Sequence, residues 1–212
     1  MRPRADALGA TSPARSSLFW LNLAVKAALV GLLLFAVIRS DLPQFQGKAM
    51  ASRALTYPIS ALIVPIAWWL VARRRAQPPA YPYAVDILLV LPFLIDTIGN
   101  ALDLYDTISW WDDLNHLVNW AILTAACGQW LLRLPLGRVT TGALAVGFGA
   151  VTAILWEIAE YLAFVRDSPE LETAYTDTLG DLGLGLTGSV AAALLTAWLL
   201  WPAAHRRTGR QD

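Results

Sequence analysis

Six stretches of this chain, over residues 18–38, 55–71, 84–104, 112–133, 139–165 and 178–201, are apolar in continuous blocks rather than at amphipathic spacing. Each is about long enough, as a helix, to cross a ~30 Å hydrocarbon layer. In lipid a helix satisfies its own backbone polar groups, whereas an open sheet edge does not. The sequence therefore predicts an all-α polytopic bundle of about six transmembrane helices. One domain spans 18–201, between a polar tail at 1–17 and a basic tail at 202–212. The second stretch is the shortest and holds Pro58 and Pro65, so a kinked or re-entrant segment is the alternative there. With 57% hydrophobic and 15% charged residues in 212, the chain is too apolar for a soluble domain of this size.

Met1–Ser17 is polar, and the apolar block after it exceeds the roughly 7–15 residues of a signal-peptide core, so no cleaved leader is expected. Arg2 follows Met1 and no Cys lies near the C-terminus, so no lipid anchor is read. Net charge is zero, which gives no basis for a nucleic-acid partner. The distribution of charge is more informative. Arg2, Arg4, Arg15, Arg73, Arg74, Arg75, Arg133, Arg138, Arg206, Arg207 and Arg210 fall in the tails or in the 2–3 and 4–5 loops. Arg39, Lys48, Arg53 and Arg166 fall on the opposite side. The positive-inside rule then places both termini in the cytoplasm, and the acidic helix ends at the outer face. Membrane lipids are the expected surroundings, and nothing in the sequence sets an oligomeric state.

Trp68, Trp69, Trp110, Trp111, Trp198 and Trp201 fall near helix ends, as interfacial belts require. Cys127, the single cysteine, reads as a small buried residue. Gly142, Gly147 and Gly149, with Gly180, Gly183, Gly185 and Gly188, predict close packing of the fifth and sixth spans. Residues Gly183–Gly188 also spell a dinucleotide-binding pattern. That mechanism needs a preceding strand and a helix N-terminus facing a pyrophosphate; inside an apolar span it predicts no nucleotide.

The polar residues gather at one end of the spans. The fourth begins Trp111-Asp112-Asp113-Leu114-Asn115-His116, so either aspartate can share a helix face with the imidazole. Asp112 reads as an N-cap, leaving Asp113 and His116 for chemistry. The fifth ends with Glu157 and Glu160 on one face, near a helix C-terminus where the dipole disfavours anions. Two ionised carboxylates at ~5.5 Å and an effective dielectric of 20 repel by about 3 kcal/mol. Either one is protonated or a cation lies beside them. The sixth begins with Asp177 and Asp181, and the third carries Asp96, Asn100 and Asp103 toward the same end. A charge at a helix centre costs about 2.5–3.5 kcal/mol on insertion scales, so intramembrane acids face the bundle interior by default.

Carboxylates and one imidazole meeting inside a helix bundle have the ligand composition of Mg²⁺, Mn²⁺, Ca²⁺, Zn²⁺ or Fe²⁺ sites. Asp113, His116, Glu157, Glu160 and Asp181 are the candidate ligands. Glu157, Glu160 and His116 are the candidate catalytic groups, with Asp96, Asn100, Asp103, Asp177 and Tyr161 in support. A hydrogen-bonded carboxylate network without metal, and a polar seam that fixes helix register, are the alternatives. Lys26, inside the first span, reads as snorkelling toward the inner surface, with a counter-ion role as the alternative. The link Leu134–Arg138 makes the fourth and fifth spans neighbours, and the short Tyr105–Trp111 loop does the same for the third and fourth. The acidic loop Arg166–Thr176 is long enough to fold over the outer end as a lid.

Residues Asp112–His116, Glu157–Tyr161 and Asp177–Gly188 resemble the three sequence blocks of VanZ-like membrane proteins. They resemble more closely the related bacterial inner-membrane proteins of the YjdF type. The correspondence covers roughly Tyr105–Ala193. It departs from the VanZ pattern at Asp113, Glu160 and Gly185, where that pattern has Lys, Gln and Asn. The resemblance implies a shared fold and site in a bacterial inner membrane, and supplies no reaction. Three functional readings follow: a metal-dependent enzyme acting on an envelope lipid or glycan, a cation- or proton-coupled transporter, or a scaffold with a structural polar seam. No internal repeat of the kind many transporters show is present.

Overall fold

The computed structural model describes residues 13–208. Of the tails, residues 1–12 (with Arg2 and Arg4) and 209–212 (with Arg210) lie outside the described residues. The long elements are α1 (Pro13–Ile38), α2 (Met50–Ala72), α3 (Tyr83–Ala101), α5 (Trp111–Leu131), α6 (Arg138–Glu160) and α7 (Ala174–Leu195). A four-residue helix, α4 (Leu104–Thr107), connects α3 to α5. Single π-type turns extend α6 over Tyr161–Val165 and α7 over Thr196–Leu200, and α8 (Trp201–Thr208) continues beyond the latter. No strand occurs among the described residues.

Among the described residues five helices are long and apolar enough to cross a membrane: α1, α2, α3, α6 and α7 with their extensions. The second is continuous from Met50 through Pro58 and Pro65. α5 has a span's length, 21 residues. Asp112, Asp113, Asn115, His116 and Asn119 dilute its apolar character. Its neighbours account for the difference. α5 packs against α3, α6 and α7, whereas α1 and α2 contribute wide lipid-facing surfaces such as Leu34, Ile38, Leu55 and Ile59. A helix enclosed on three sides need not be apolar all round.

Two groups of helices result. α1, α2 and α3 share a core of Leu29, Leu33, Tyr57, Val90 and Leu94, against which Trp156 of α6 also packs. α5, α6 and α7 form the second group, joined to the first through α3 and α5.

Close approach within the second group rests on particular glycines. A Cβ at Gly188 would run into the Leu117 carbonyl oxygen, so the α5 and α7 backbones touch there. A Cβ at Gly185 would meet the Trp120 ring, and one at Gly149 would meet Ser189 and Thr124. α7 is thus closely packed on α6, as the glycine pattern suggested, and equally closely on α5. Gly147, Gly180 and Gly183 face open space.

Aromatic side chains are anchored at the end of the bundle opposite the acids. The Arg73 guanidinium lies 4.5 Å from the Trp69 ring centroid and that of Arg138 3.5 Å from Trp198. Trp68 and Trp201 donate from Nε1 to the Pro79 and Leu136 carbonyls.

The packing of α1 on α3 decides between the two readings of Lys26. Lys26 reaches toward the first turn of α3 and takes the counter-ion role there. Its Nζ lies 2.6 Å from Oδ2 of Asp86, whose side chain has no solvent exposure. The Tyr81 hydroxyl donates to the same oxygen at 2.6 Å. A fully buried carboxylate requires a partner, and Lys26 supplies it.

Candidate functional site

α2 and α7 start, and α3 and α6 finish, at the end of the bundle where α5 begins. A cavity of about 820 Å³ opens there between the two helix groups. His116, one turn into α5, is 7% exposed and lines it. Its Nε2 lies 3.7 Å from Oδ1 of Asp112 and 3.7 Å from Oδ1 of Asp181 on α7. Its Nδ1 lies 3.7 Å from Oε1 of Glu157 on α6. These separations are too long for direct hydrogen bonds. Nδ1 of His116 and Oε1 of Glu157 are both fully buried and have no hydrogen-bond partner. A buried polar atom left unpaired costs roughly 1–3 kcal/mol, so this pair needs an explanation.

Two sets of ligand atoms lie within 4.8 Å of one another: Asp112, His116 and Asp181, and His116, Glu157 and Glu160. Metal–ligand bonds to nitrogen and carboxylate oxygen run about 2.0–2.2 Å for Zn²⁺. Donor atoms 3.7 Å apart can therefore share one ion between them.

Beside this cluster lies a second polar network. Asp96 on α3 receives an ion pair from Arg53, together with hydrogen bonds from the hydroxyls of Tyr57 at 2.8 Å and Tyr105 at 2.7 Å. Asn100 donates to the Asp96 carbonyl at 2.9 Å. Arg53 also donates to the Tyr57 oxygen at 2.5 Å. Tyr105 belongs to the connection between α3 and α5. Burial, with the adjacent Asp96 carboxylate, pushes its phenol well above the ordinary range, so it serves as a donor. The Asp96 charge is thus balanced and hydrogen-bonded, which is how a buried carboxylate is normally held.

Most of the expected site residues line the cavity: Asp96, Asn100, His116, Glu157, Glu160, Tyr161, Asp177 and Asp181. Two do not. Asp113 is exposed and does not line the cavity; Asp112, expected to be a cap, lies past the N-cap position Trp110 and lines it, with Oδ1 3.7 Å from the imidazole. Asp103 adopts a left-handed backbone (φ 59°) at the turn into α4, and its carbonyl accepts from the Thr107 hydroxyl. A short polar side chain tolerates that conformation, so Asp103 has a local reason for its identity. Thr173, the N-cap of α7 at the end of the connection from α6, also lines the cavity.

The residues missed by sequence reasoning are Arg53, Tyr57, Tyr105 and Asp86. Arg53 was counted as a loop charge because the apolar block starts at 55. The helix starts at Met50, which puts Arg53 inside it. The available signal was an intramembrane acid, Asp96, with no base assigned to it.

A family model described as "Predicted membrane protein (DUF2238)" matches residues 21–201. The chain belongs to that family. It is a multi-pass membrane protein, and the DUF2238 match runs from within α1 through α7 and takes in both polar networks. No curated protein and no solved structure matches the chain.

Proposed function

We propose that this protein is a metal-dependent membrane enzyme whose centre lies at the outer face of a bacterial inner membrane. Nε2 of His116, Asp112 and Asp181 hold a divalent cation. Glu157 accepts the Nδ1–H of the same imidazole and fixes its orientation, the usual outer-shell arrangement for a ligating histidine. Glu160, on the cavity wall beside them, is the general base for a metal-activated water or substrate hydroxyl. The substrate class is an envelope lipid or glycan. The observation that carries this reading is the buried imidazole, with each nitrogen 3.7 Å from carboxylate oxygens contributed by α5, α6 and α7.

The choice between the two ligand sets follows from burial. Nδ1 and Glu157 Oε1 are sealed from solvent, so they suit an internal hydrogen bond. Nε2 faces Asp112, whose side chain is 46% exposed, which is the side from which an ion can enter. The resemblance to VanZ-like and YjdF-type blocks supports a shared site and leaves the reaction open. A proton-relay role is less well supported, because Asp96 is already engaged by Arg53, Tyr57 and Tyr105.

Metal analysis of the purified protein tests the reading. Stoichiometric divalent metal is expected in the wild type and in Glu160→Gln, and is lost in His116→Ala and Asp181→Asn at unchanged melting temperature. Wild-type protein that carries no metal and takes up none on titration would overturn it.

A further inference from the structure

The cavity is divided by chemistry along its depth. Its mouth holds His116, the carboxylates and Arg53, whereas its deeper wall is mainly apolar, with Ile63, Leu89, Leu123 and Phe148 beside one hydroxyl, Thr152, which donates to the Phe148 carbonyl. At the rise of an α-helix, Leu123 lies about 10 Å below His116 and Phe148 about 13 Å below Glu157. The deeper wall therefore reaches well into the hydrocarbon depth. It is open sideways. α2 packs on α1 and α3. It meets α6 near the mouth, where the Tyr57 and Trp156 rings stand 6.1 Å apart. Below that contact Ile63 of α2 is 49% exposed and Leu155 of α6 58% exposed, yet both line the cavity. α2 and α6 are not among the closely packed helix pairs, so these two exposed side chains border a side gap, and in a membrane what lies outside that gap is lipid.

We infer that the substrate is a membrane amphiphile which enters between α2 and α6, lays its hydrocarbon chain along Leu89, Leu123 and Phe148, and presents its polar head to His116. This deepens the proposed metal centre and rests on it for the chemistry at the head. A water-soluble substrate would leave this mainly apolar depth without use, whereas a chain in it satisfies both zones. The head sits at the depth of the carboxylates, so the reacting bond belongs to the head group or its junction with the chain.

Two photoreactive probes in lipid nanodiscs test this: a phosphatidylglycerol with a mid-chain diazirine and a prenyl phosphate with a diazirine in its chain. At least one is expected to label Leu89, Leu123 or Phe148. That labelling is expected to fall at least tenfold in Leu123→Trp and Phe148→Trp, whose metal content matches wild type, and to be competed by the unlabelled amphiphile. Competition in the wild type needs no variant and covers the case in which a tryptophan variant fails to fold. Which probe labels separates an acyl from a prenyl chain. Labelling confined to outward residues such as Ile59 and Leu162, neither competed nor reduced by Leu123→Trp, would identify annular lipid only and overturn the inference. Loss of the metal reading would show instead as absent metal with cavity labelling intact.

Discussion

His116 and Glu157 face each other across the contact between α5 and α6, with Nδ1 and Oε1 3.7 Å apart and neither atom otherwise paired. A small closure makes this an N–H···O bond, and the proton on Nδ1 then leaves the Nε2 lone pair for the proposed cation. Glu157→Gln, which keeps the shape but not the charge, is expected to weaken metal affinity about 10–100-fold, as outer-shell changes typically do. Competition with a chromophoric chelator measures it. Affinity equal to wild type would remove Glu157 from this role.

The ion pair between Lys26 and Asp86 makes a separate prediction about stability. Removing one partner of a buried pair costs about 3–5 kcal/mol, because the other charge stays buried. Lys26→Met is therefore expected to lower stability by that order in detergent unfolding, and Lys26→Met with Asp86→Leu to recover most of it. A single variant as mild as the double would contradict the pairing.

Gly188 and Gly183 form a matched pair of tests on one helix. A Cβ at Gly188 meets the Leu117 backbone, which cannot rotate out of the way, whereas Gly183 faces open space. Overpacking of this kind costs about 1–3 kcal/mol. Gly188→Ala is expected to lower the unfolding midpoint, while Gly183→Ala is expected to leave it unchanged or raise it slightly through helix propensity. Equal effects would contradict the close approach of α5 and α7.

Tyr105 and Tyr81, both in connecting segments, predict a pH response. Burial, with Asp96 beside one and a hydrogen bond to Asp86 on the other, raises both phenols above the usual value near 10. A raised value means that the folded state holds the proton more tightly than the unfolded state. The stability from these hydroxyls is complete below about pH 10 and is lost as pH rises further. In an ultraviolet titration, Tyr105→Phe is expected to remove no ionisation between about pH 9 and 11. Loss of one titrating phenol in that window would show that Tyr105 is not buried against Asp96.

The bundle was legible in the sequence because apolar blocks of span length leave few alternatives, and five of the six expected helices meet both the length and the apolarity of a span. The level of the site was legible for a similar reason: acids inside apolar helices stand out against their surroundings. Rotation about each helix was not. Asp112 and Asp113 are adjacent in sequence, yet Asp112 lines the cavity 3.7 Å from the imidazole while Asp113 is exposed outside it, and three- or four-residue spacing to His116 admits either. The bases were hidden for a different reason. Lys26 and Arg53 each have a standard account in topology rules, and their partners, Asp86 and Asp96, lie 60 and 43 residues away. Only packing brings such pairs together.

The central claim is that one cation sits between α5 and α7 on Nε2 of His116. Anomalous diffraction from crystals grown with Mn²⁺ measures this directly. A single peak is expected about 2.0–2.3 Å from that nitrogen and from carboxylate oxygens of Asp112 and Asp181. A peak on Glu157 and Glu160 with Nε2 turned away, or no peak at a concentration that saturates binding in solution, would contradict it.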